Sequence, residues 1–143
     1  MKIILRQILS SDAAAIALLS AQLGYPISTA QTQKNIEAIN ENKDHIAYVA
    51  ESNGLVAGWI GVSYIVQLES PPSCEIHGLV INENHRKQGI GKLLIEQAKQ
   101  WSRQKNVDRL RLRCNVIRTE AHKFYSHLGF REVKQQKVFE IDL

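Results

Sequence analysis

Residues 75–114 limit the fold most, because a strand pattern, a glycine-rich turn, an amphipathic helix and a second strand pattern follow one another there. Two strands that are connected through a helix usually lie parallel in one sheet, because the helix carries the chain back to the end of the sheet where the first strand began. The segment therefore requires a sheet with at least one parallel strand pair and a helix packed on it. The expected buried face of that helix comprises Ile90, Leu93, Leu94, Gln97, Ala98 and Trp101.

The rest of the chain supplies further strands and helices. Runs rich in β-branched and aromatic side chains predict strands at residues 3–8, 45–51, 55–66, 74–81, 109–114, 131–133 and 137–142. Helical spacing and capping residues predict helices that begin near Ser11, Ser28, Ile90 and Ala121. Ser52-Asn53-Gly54 predicts a hairpin turn, and Pro71-Pro72 predicts a loop. The order β-α-α-β-β-β-α-β-α-β-β predicts an α+β, mixed three-layer fold in a single domain over residues 1–143.

Composition narrows the class of protein. Apolar residues make up 44% of the chain and charged residues 22%, which is typical of a folded domain. Two cysteines, Cys74 and Cys114, cannot form a disulfide scaffold, so a reducing, cytoplasmic location is expected. The N-terminal segment lacks the apolar run of a signal peptide, and no segment approaches the ~20 apolar residues of a membrane span. We therefore expect no membrane partner.

Charge is distributed unevenly along the chain. Residues 85–123 contain eleven Lys or Arg and three Asp or Glu, a net charge of +8, while the remaining residues carry −4. The middle of the chain is therefore expected to meet an anion, which could be nucleic acid, an anionic membrane or a phosphorylated cofactor. No nucleic-acid partner is expected, because the basic residues are not interleaved with aromatic side chains and no reader motif is present.

A glycine-rich loop, Arg86-Lys87-Gln88-Gly89-Ile90-Gly91-Lys92, precedes the amphipathic helix. Glycines let a backbone turn tightly and approach a ligand, and the first amides of a helix can bind an anion. A P-loop is excluded because Leu93 follows Lys92 where Ser or Thr is required. A dinucleotide fingerprint is excluded because Leu94 replaces its third glycine. Two interpretations remain, an anion site of another kind or a turn without a ligand.

Two motifs together resemble the GNAT N-acetyltransferase superfamily. Arg-x-x-Gly-x-Gly at residues 86–91, after the strand Glu75-Ile76-His77-Gly78-Leu79-Val80-Ile81, is similar to that family's acetyl-CoA loop. The downstream segment of residues 121–130 matches its pattern Ala-x-x-Phe-Tyr-x-x-x-Gly-Phe. The resemblance implies a mixed, mostly antiparallel sheet with a splayed parallel strand pair, flanked by helices.

The resemblance also implies a binding site for acetyl-CoA. The backbone of Leu79, Val80 and Ile81 would pair with the pantetheine arm. Arg118 stands where many members carry Asn, and it could hold a phosphate or be structural; the nearest asparagine is Asn115. The residues expected around the pyrophosphate are Arg86, Lys87, Gln88, Gly89, Ile90, Gly91 and Lys92.

The implied reaction is direct transfer of the acetyl group to an amine in a ternary complex. Tyr125 would protonate the departing thiolate; without the resemblance it would be a core aromatic, as we expect for Trp59, Trp101 and Phe130. Glu75 stands eleven residues before Arg86, the offset at which histone-type members place a catalytic glutamate. His77, on the same strand face, and a water relay are alternatives for the base.

The acceptor is expected to be a small primary amine, held near the segment Leu23-Gly24-Tyr25-Pro26. The acidic residues expected to attract its ammonium group are Glu37, Glu41, Asp44 and Glu75. A protein N-terminus or lysine, and a non-catalytic CoA-binding module, are the alternative functions. No residues have metal-ligand spacing, so no metal is predicted. A homodimer remains open, since Arg109, Arg111 and Arg113 share one strand face and could meet acids or a second subunit.

Overall fold

The computed structural model describes residues 2–114 and 116–143. The chain forms two compact units, one ending at Arg113 and one spanning Cys114–Leu143. The first unit contains a five-stranded sheet and three helices, and the second contains the fourth helix. No helix in the described ranges is both long enough and apolar enough to cross a membrane.

The sheet of the first unit has its strands in chain order. The strands are β1 (Ile3–Gln7), β2 (His45–Ser52), β3 (Leu55–Gln67), β4 (Ser70–Ile81) and β5 (Leu110–Leu112). The helices are α1 (Ala13–Gln22), α2 (Thr29–Glu41) and α3 (Ile90–Gln104). Neighbouring strands from β1 to β4 pair antiparallel, whereas β4 and β5 pair in parallel across α3. The predicted α+β fold with one parallel crossover is confirmed.

The two hairpins differ in how well the sequence predicts them. Between β2 and β3, Asn53 and Gly54 have φ angles of 52° and 81°, the left-handed pair that a tight primed turn requires. The predicted loop at Pro71-Pro72 is wrong, because both prolines lie in β4 and the turn precedes Ser70. Proline has no backbone N–H to donate to a neighbouring strand, and it is tolerated at the exposed start of β4, where that hydrogen bond is not required.

The core lies where the helices cover the sheet. α3 packs against β3 and β4, and α2 packs against α1 and β2. The buried face of α3 consists of Ile90, Gly91, Leu94, Ile95, Ala98, Trp101 and Ser102. Leu93, expected on this face, is 41% exposed, and Ile95 is buried instead. Burying each large aliphatic side chain contributes about 1.5–3 kcal/mol, which fixes α3 on the sheet.

An ion pair fixes the start of α1. The guanidinium of Arg6 donates two hydrogen bonds of 2.8 Å to the carboxylate of Asp12, and the N–H of Leu9 donates a third, also of 2.8 Å. The side chain of Asp12 is only 6% exposed. The contact connects β1 to the turn that opens the helix.

The second unit contains α4 (Thr119–His127) and the C-terminal residues. Gly129 has a φ of 96°, and the N–H of Phe130 donates back to the carbonyl of Tyr125 at 3.0 Å, so α4 ends in a left-handed glycine cap. The strands predicted at residues 131–133 and 137–142 are wrong, since none of residues 130–143 is in a helix or strand. Val138 and Phe139 are about 90% exposed and have no partner strand, which a β ladder requires.

Candidate functional site

Strand β4 is the framework of the candidate site. One of its edges pairs with β3 as far as Ile81, and the other pairs with β5 only from Cys74 to Ile76. Among the described strands, none pairs with this second edge from His77 to Ile81. The backbone at residues 79–81, where the pantetheine arm is expected, therefore belongs to an edge that an extended ligand could join.

A β-bulge interrupts β4 at the start of this open edge. Gly61 of β3 pairs with Gly78 and the next residue, Val62, pairs with Ile76, so His77 is the additional residue on β4. A bulge redirects side chains and increases the local twist of a strand. The strand therefore changes direction where its pairing with β5 ends.

Four side chains form a polar chain around this bulge. The Nε of Arg113 donates a 3.0 Å hydrogen bond to Oε1 of Glu75. The other carboxylate oxygen, Oε2, lies 3.7 Å from Nδ1 of His77, and Nε2 of His77 shares a hydrogen bond with the hydroxyl of Ser63. Glu75 is buried, whereas the imidazole of His77 is 48% exposed. The chain thus connects a buried carboxylate to an accessible imidazole.

Aromatic rings contact the strand at His77 and at Gly78. The ring of His45 stacks on that of His77 with centroids 6.1 Å apart. The ring of Trp59 lies over Gly78, where a Cβ would come within 2.6 Å of the indole. Residue 78 must therefore be glycine for Trp59 to keep this position.

A cavity of about 250 Å³ lies in the first unit, where α1 and α2 face the sheet. His45, Trp59, Gly61, His77 and Gly78 form its wall on the sheet side. The remaining lining includes Ser20, Thr32, Asn35 and six isoleucines. The cavity therefore has a mainly aliphatic wall and a pair of histidines.

None of the four acidic residues expected to attract an ammonium group lines this cavity. Glu37 and Glu41 are exposed on α2, Asp44 faces Lys105 at 3.7 Å, and Glu75 is held behind His77. The attraction of an ammonium group by these carboxylates therefore stays a prediction, and none of them would contact a ligand in this cavity directly. The predicted acceptor segment of residues 23–26 is also absent from the lining, although Ser20 and Ile27 on either side contribute to it.

The glycine-rich loop ends at the start of α3. Gly89 is the N-cap residue with a φ of 80°, and it offers no side chain to the first amides of the helix. Lys87 also has a positive φ, of 65°. Within the described ranges, the exposed side chains of Arg86, Lys87 and Lys92 have no hydrogen-bond or ion-pair partner. Uncapped amides and cations converge here, which is the arrangement that binds phosphate groups.

Tyr125 lies on α4 in the second unit. Its ring makes edge-on contacts with Phe124 and Phe130, with centroids 5.4 and 5.9 Å away. Burial raises the pKa of the Tyr125 phenol, the neighbouring Cys114 raises it further, and Arg118 opposes both. The phenol is therefore protonated at neutral pH and can donate a proton. Asn115, the asparagine nearest to Arg118, lies outside the described residues.

Both cysteines are poor nucleophiles. Burial raises the pKa of the Cys74 thiol, opposed by a hydrogen bond with Ser102. Burial also raises the pKa of Cys114, opposed by Arg118. A thiol with a raised pKa contains little of the reactive thiolate at neutral pH. Among the described residues, no three His, Cys, Asp or Glu side chains form a group that could hold a metal ion.

Comparison with known proteins identifies the family. A sequence model of the acetyltransferase (GNAT) family matches residues 9–130, most of the chain. The chain belongs to this family. The matched range contains β4, the loop of residues 86–92 and Tyr125, so both motifs that carry the resemblance lie within it.

Two curated relatives of the family illustrate the range of similarity. A mouse protein named probable N-acetyltransferase family 8 member 5 is 32% identical over 88 residues, which cover 59% of this chain and 37% of the mouse protein. An uncharacterized N-acetyltransferase of Chlorobaculum tepidum is 28% identical over 129 residues, covering 88% of this chain and 74% of that protein. This chain therefore covers less than two fifths of the mouse relative.

A solved structure supports the fold. An aminoglycoside N-acetyltransferase in complex with CoA superimposes with a TM-score of 0.87, covering 99% of this chain and 96% of the other. The sequence identity is 18%, so the similarity shows the fold alone. The mixed five-stranded sheet with four helices is thus the fold expected of a GNAT protein.

Several residues of the site were missed at the sequence level. Ser63, His45 and Arg113 each contact the His77–Glu75 pair, yet they come from three different strands or strand ends. The alternation of β4 placed Glu75 and His77 on one face, which agrees with their 3.7 Å approach. The arginine pattern of residues 109–113 indicated only that an acid or a second subunit could meet these side chains.

Proposed function

We propose that this chain is an acetyl-CoA-dependent N-acetyltransferase that transfers the acetyl group directly to a small-molecule amine. The position of β4 carries the proposal. Its open edge at residues 77–81 leads to the uncapped start of α3, and His77 and Gly78 on the same strand line the cavity. Acetyl-CoA bound along the open edge of β4 and an amine bound in the cavity would therefore meet at the bulge of His77.

The donor side of the proposal rests on backbone groups and positive charge. The amides of residues 79–81 would pair with the pantetheine arm, and those at the start of α3 would hold the pyrophosphate. Arg86, Lys87 and Lys92 supply the local positive charge, while Gln88 and Ile90 flank Gly89 in the loop. Arg118 is proposed as a further phosphate contact.

In the proposed reaction the amine nitrogen attacks the thioester carbonyl carbon. A C–N bond forms, the C–S bond breaks, and the sulfur leaves as a thiolate. Before the attack, the ammonium group of the substrate loses one proton to the base. During the transfer the nitrogen loses a second proton and the thiolate gains one, so that one proton is released to solvent overall. The products are an N-acetylated amine and CoA.

Glu75 and His77 are proposed to take up the proton as a pair. If Nε2–H of His77 donates to Ser63, then Nδ1 has a free lone pair that can accept a proton through water. The carboxylate of Glu75, 3.7 Å from Nδ1, then stabilises the imidazolium. Tyr125, whose phenol stays protonated, is proposed to donate the proton that the thiolate needs.

Direct transfer is favoured over a covalent acetyl-enzyme. A covalent route needs a nucleophile such as a thiolate, and both cysteines are kept as thiols by burial. A small acceptor is favoured over a protein terminus or lysine because the cavity is about 250 Å³. The aminoglycoside N-acetyltransferase with the same fold, named for a small-molecule acceptor, supports this choice. We propose that residues 1–143 act as one domain, since the family match spans both units.

Initial-rate kinetics test the proposal. CoA release is measured while acetyl-CoA and amine are both varied, and the acetylated product is identified by mass. A ternary complex predicts intersecting double-reciprocal lines. Parallel lines would indicate a covalent intermediate, and acetyl-CoA binding without transfer to any amine or peptide would indicate a CoA-binding module. Cytoplasmic location and a homodimer remain predictions.

A further inference from the structure

We infer that the cavity accepts a small monoamine with one apolar, ring-sized body, and that it discriminates against polycations. The reaction in this inference rests on the proposed function. The choice of ligand rests on the cavity, which belongs entirely to the first unit.

The cavity wall is chiefly aliphatic. Six isoleucines line it: Ile8, Ile16, Ile27, Ile36, Ile39 and Ile46. Apolar ligand surface placed against such a wall gains about 25 cal/mol for each Å² removed from water. The wall thus favours a ligand whose body is hydrocarbon.

The polar side chains of α1 and α2 at the cavity are uncharged, and each already makes a hydrogen bond within its helix or to the helix cap. The hydroxyls of Ser20 and Thr32 donate to the carbonyls of Ile16 and Ser28, each at 2.9 Å. The side-chain oxygen of Asn35 accepts from Gln31 at 3.0 Å. No Asp or Glu is among the lining residues. A second ammonium group in the cavity would lose its hydration without gaining a carboxylate, which is costly.

The polar end of the cavity lies at His45 and His77. A ligand that turns its single amino group toward these imidazoles places its apolar body among the isoleucines. An engineered apolar cavity of about 150 Å³ holds benzene, so about 250 Å³ accommodates a ring with a short arm. Phenylethylamine has this composition, whereas spermidine and kanamycin carry several ammonium groups.

Gly61 offers a direct way to reduce the cavity. It lines the wall, and a Cβ at this position would lie 3.8 Å from Trp59, an ordinary contact distance. A Gly61→Ala variant therefore adds one methyl group without a collision. One methyl group in an apolar pocket changes kcat/KM by about 10- to 200-fold.

The experiment compares kcat/KM for 2-phenylethylamine, spermidine and kanamycin. We expect the highest value for 2-phenylethylamine, and we expect Gly61→Ala to lower it at least tenfold while the KM for acetyl-CoA stays unchanged. Ile27→Ala, at a position that is 37% exposed, is the second variant and should also lower kcat/KM for 2-phenylethylamine. Leu18→Ala, on the exposed face of α1 and 66% exposed, is the matched control and should change neither value.

Calorimetry of 2-phenylethylamine with the CoA-bound protein separates this inference from the proposed function. Binding that Gly61→Ala weakens, without acetyl transfer, would support the cavity assignment and contradict the proposed reaction. Acetyl transfer to kanamycin or spermidine at equal or higher kcat/KM would overturn the inference and leave the reaction standing. Equal binding of 2-phenylethylamine by wild type, Gly61→Ala and Ile27→Ala would also overturn it.

Discussion

Arg113 holds one oxygen of Glu75, through a 3.0 Å hydrogen bond from Nε to Oε1. The second oxygen, Oε2, faces His77, whose Nδ1 lies 3.7 Å away. The carboxylate is buried and the imidazole is half exposed, so a proton from the cavity side would reach His77 before Glu75. Because the proton reaches His77 first, substitution of His77 and substitution of Glu75 should lower kcat by different amounts.

We predict that His77→Ala lowers kcat near neutral pH by about 10²–10⁴-fold, the usual contribution of a general base. Glu75→Gln should lower it less, because the carboxylate stabilises the proton but does not receive it first. In both variants the rate should recover as the pH approaches the pKa of the amine, where solvent provides the free base. The pH dependence of kcat in the two variants is the measurement.

Ser63→Ala is the control for position rather than proton transfer. It removes the hydrogen bond to Nε2 and leaves Nδ1 and Glu75 in place. We expect a smaller loss in kcat and an unchanged shape of the pH profile. A Glu75→Gln profile that falls further than that of His77→Ala would instead identify Glu75 as the first proton acceptor.

We predict that Gly89→Val abolishes tight binding of acetyl-CoA. A valine at a φ of 80° is strained and shields the uncapped amides of α3. Loss of one hydrogen bond to a charged phosphate group costs about 1.5–3 kcal/mol, so affinity should fall at least about tenfold. Isothermal titration calorimetry with acetyl-CoA measures the change.

Gly54→Val is the matched control for this experiment. Gly54 has a φ of 81°, and a Cβ at either glycine meets no atom within 4 Å. The two variants therefore carry the same backbone strain at different places. Equal affinity of Gly89→Val and Gly54→Val for acetyl-CoA would show that the loop does not bind the cosubstrate.

Features set by local backbone chemistry could be predicted from the sequence. The Asn53-Gly54 turn, the cap of α2 by Ser28 and the cap of α4 by Gly129 each depend on a few neighbouring residues. The loop before α3 was found for the same reason, since glycine spacing and the start of an amphipathic helix are adjacent in sequence.

Features that depend on distant partners could not be predicted. The bulge at His77 is set by the pairing of β3 with β4, and the neighbouring Gly78 is a local signal that fits either a bulge or a close packing contact. The segments at residues 131–133 and 137–142 contain residues that favour strands but have no partner strand. The cavity wall combines α1, α2 and three strands, so its lack of carboxylates is visible only in the fold.

Tyr125→Phe should lower kcat by at most about 10²–10⁴-fold and leave the KM for acetyl-CoA nearly unchanged. The phenol supplies a proton to the thiolate but is not proposed to hold the cosubstrate. An unchanged kcat would show that Tyr125 only packs against Phe124 and Phe130 and does not donate the proton.

The raised pKa of Tyr125 gives a second, spectroscopic prediction. Burial disfavours the phenolate, so the pKa of this residue should lie above the ordinary tyrosine value of about 10. The difference between the 295 nm titrations of wild type and Tyr125→Phe isolates it from the other three tyrosines. A difference curve with its midpoint at or below 10 would contradict the described environment of α4.

Asp12→Asn should destabilise the fold at pH 7 by about 2–4 kcal/mol, because it breaks a buried pair with the Arg6 guanidinium. Hydrogen bonds from Arg6 hold the pKa of Asp12 below its ordinary value, and burial opposes them. The stabilisation is therefore complete above the ordinary pKa of about 3.9 and is lost as the pH falls through the lowered value. Urea unfolding at several pH values measures both effects.

Glu96→Gln provides the comparison for that variant. Glu96 and Lys99 form a 3.1 Å pair on the surface of α3, where the carboxylate is 47% exposed. Such pairs contribute at most about 1 kcal/mol. If Asp12→Asn and Glu96→Gln cost the same at pH 7, the Arg6 pair does not fix the start of α1.

The central claim is that β4 brings an acetyl donor and an amine acceptor together. The most direct test is mass spectrometry of a reaction containing the protein, acetyl-CoA and 2-phenylethylamine, with CoA quantified in the same sample. The account predicts N-acetylated amine and CoA in equal amounts, and at acetyl-CoA concentrations well below the wild-type KM it predicts similar rates for wild type and Gly54→Val and a rate at least about tenfold lower for Gly89→Val. Release of CoA without N-acetylated amine, or product formation unaffected by Gly89→Val, would contradict it.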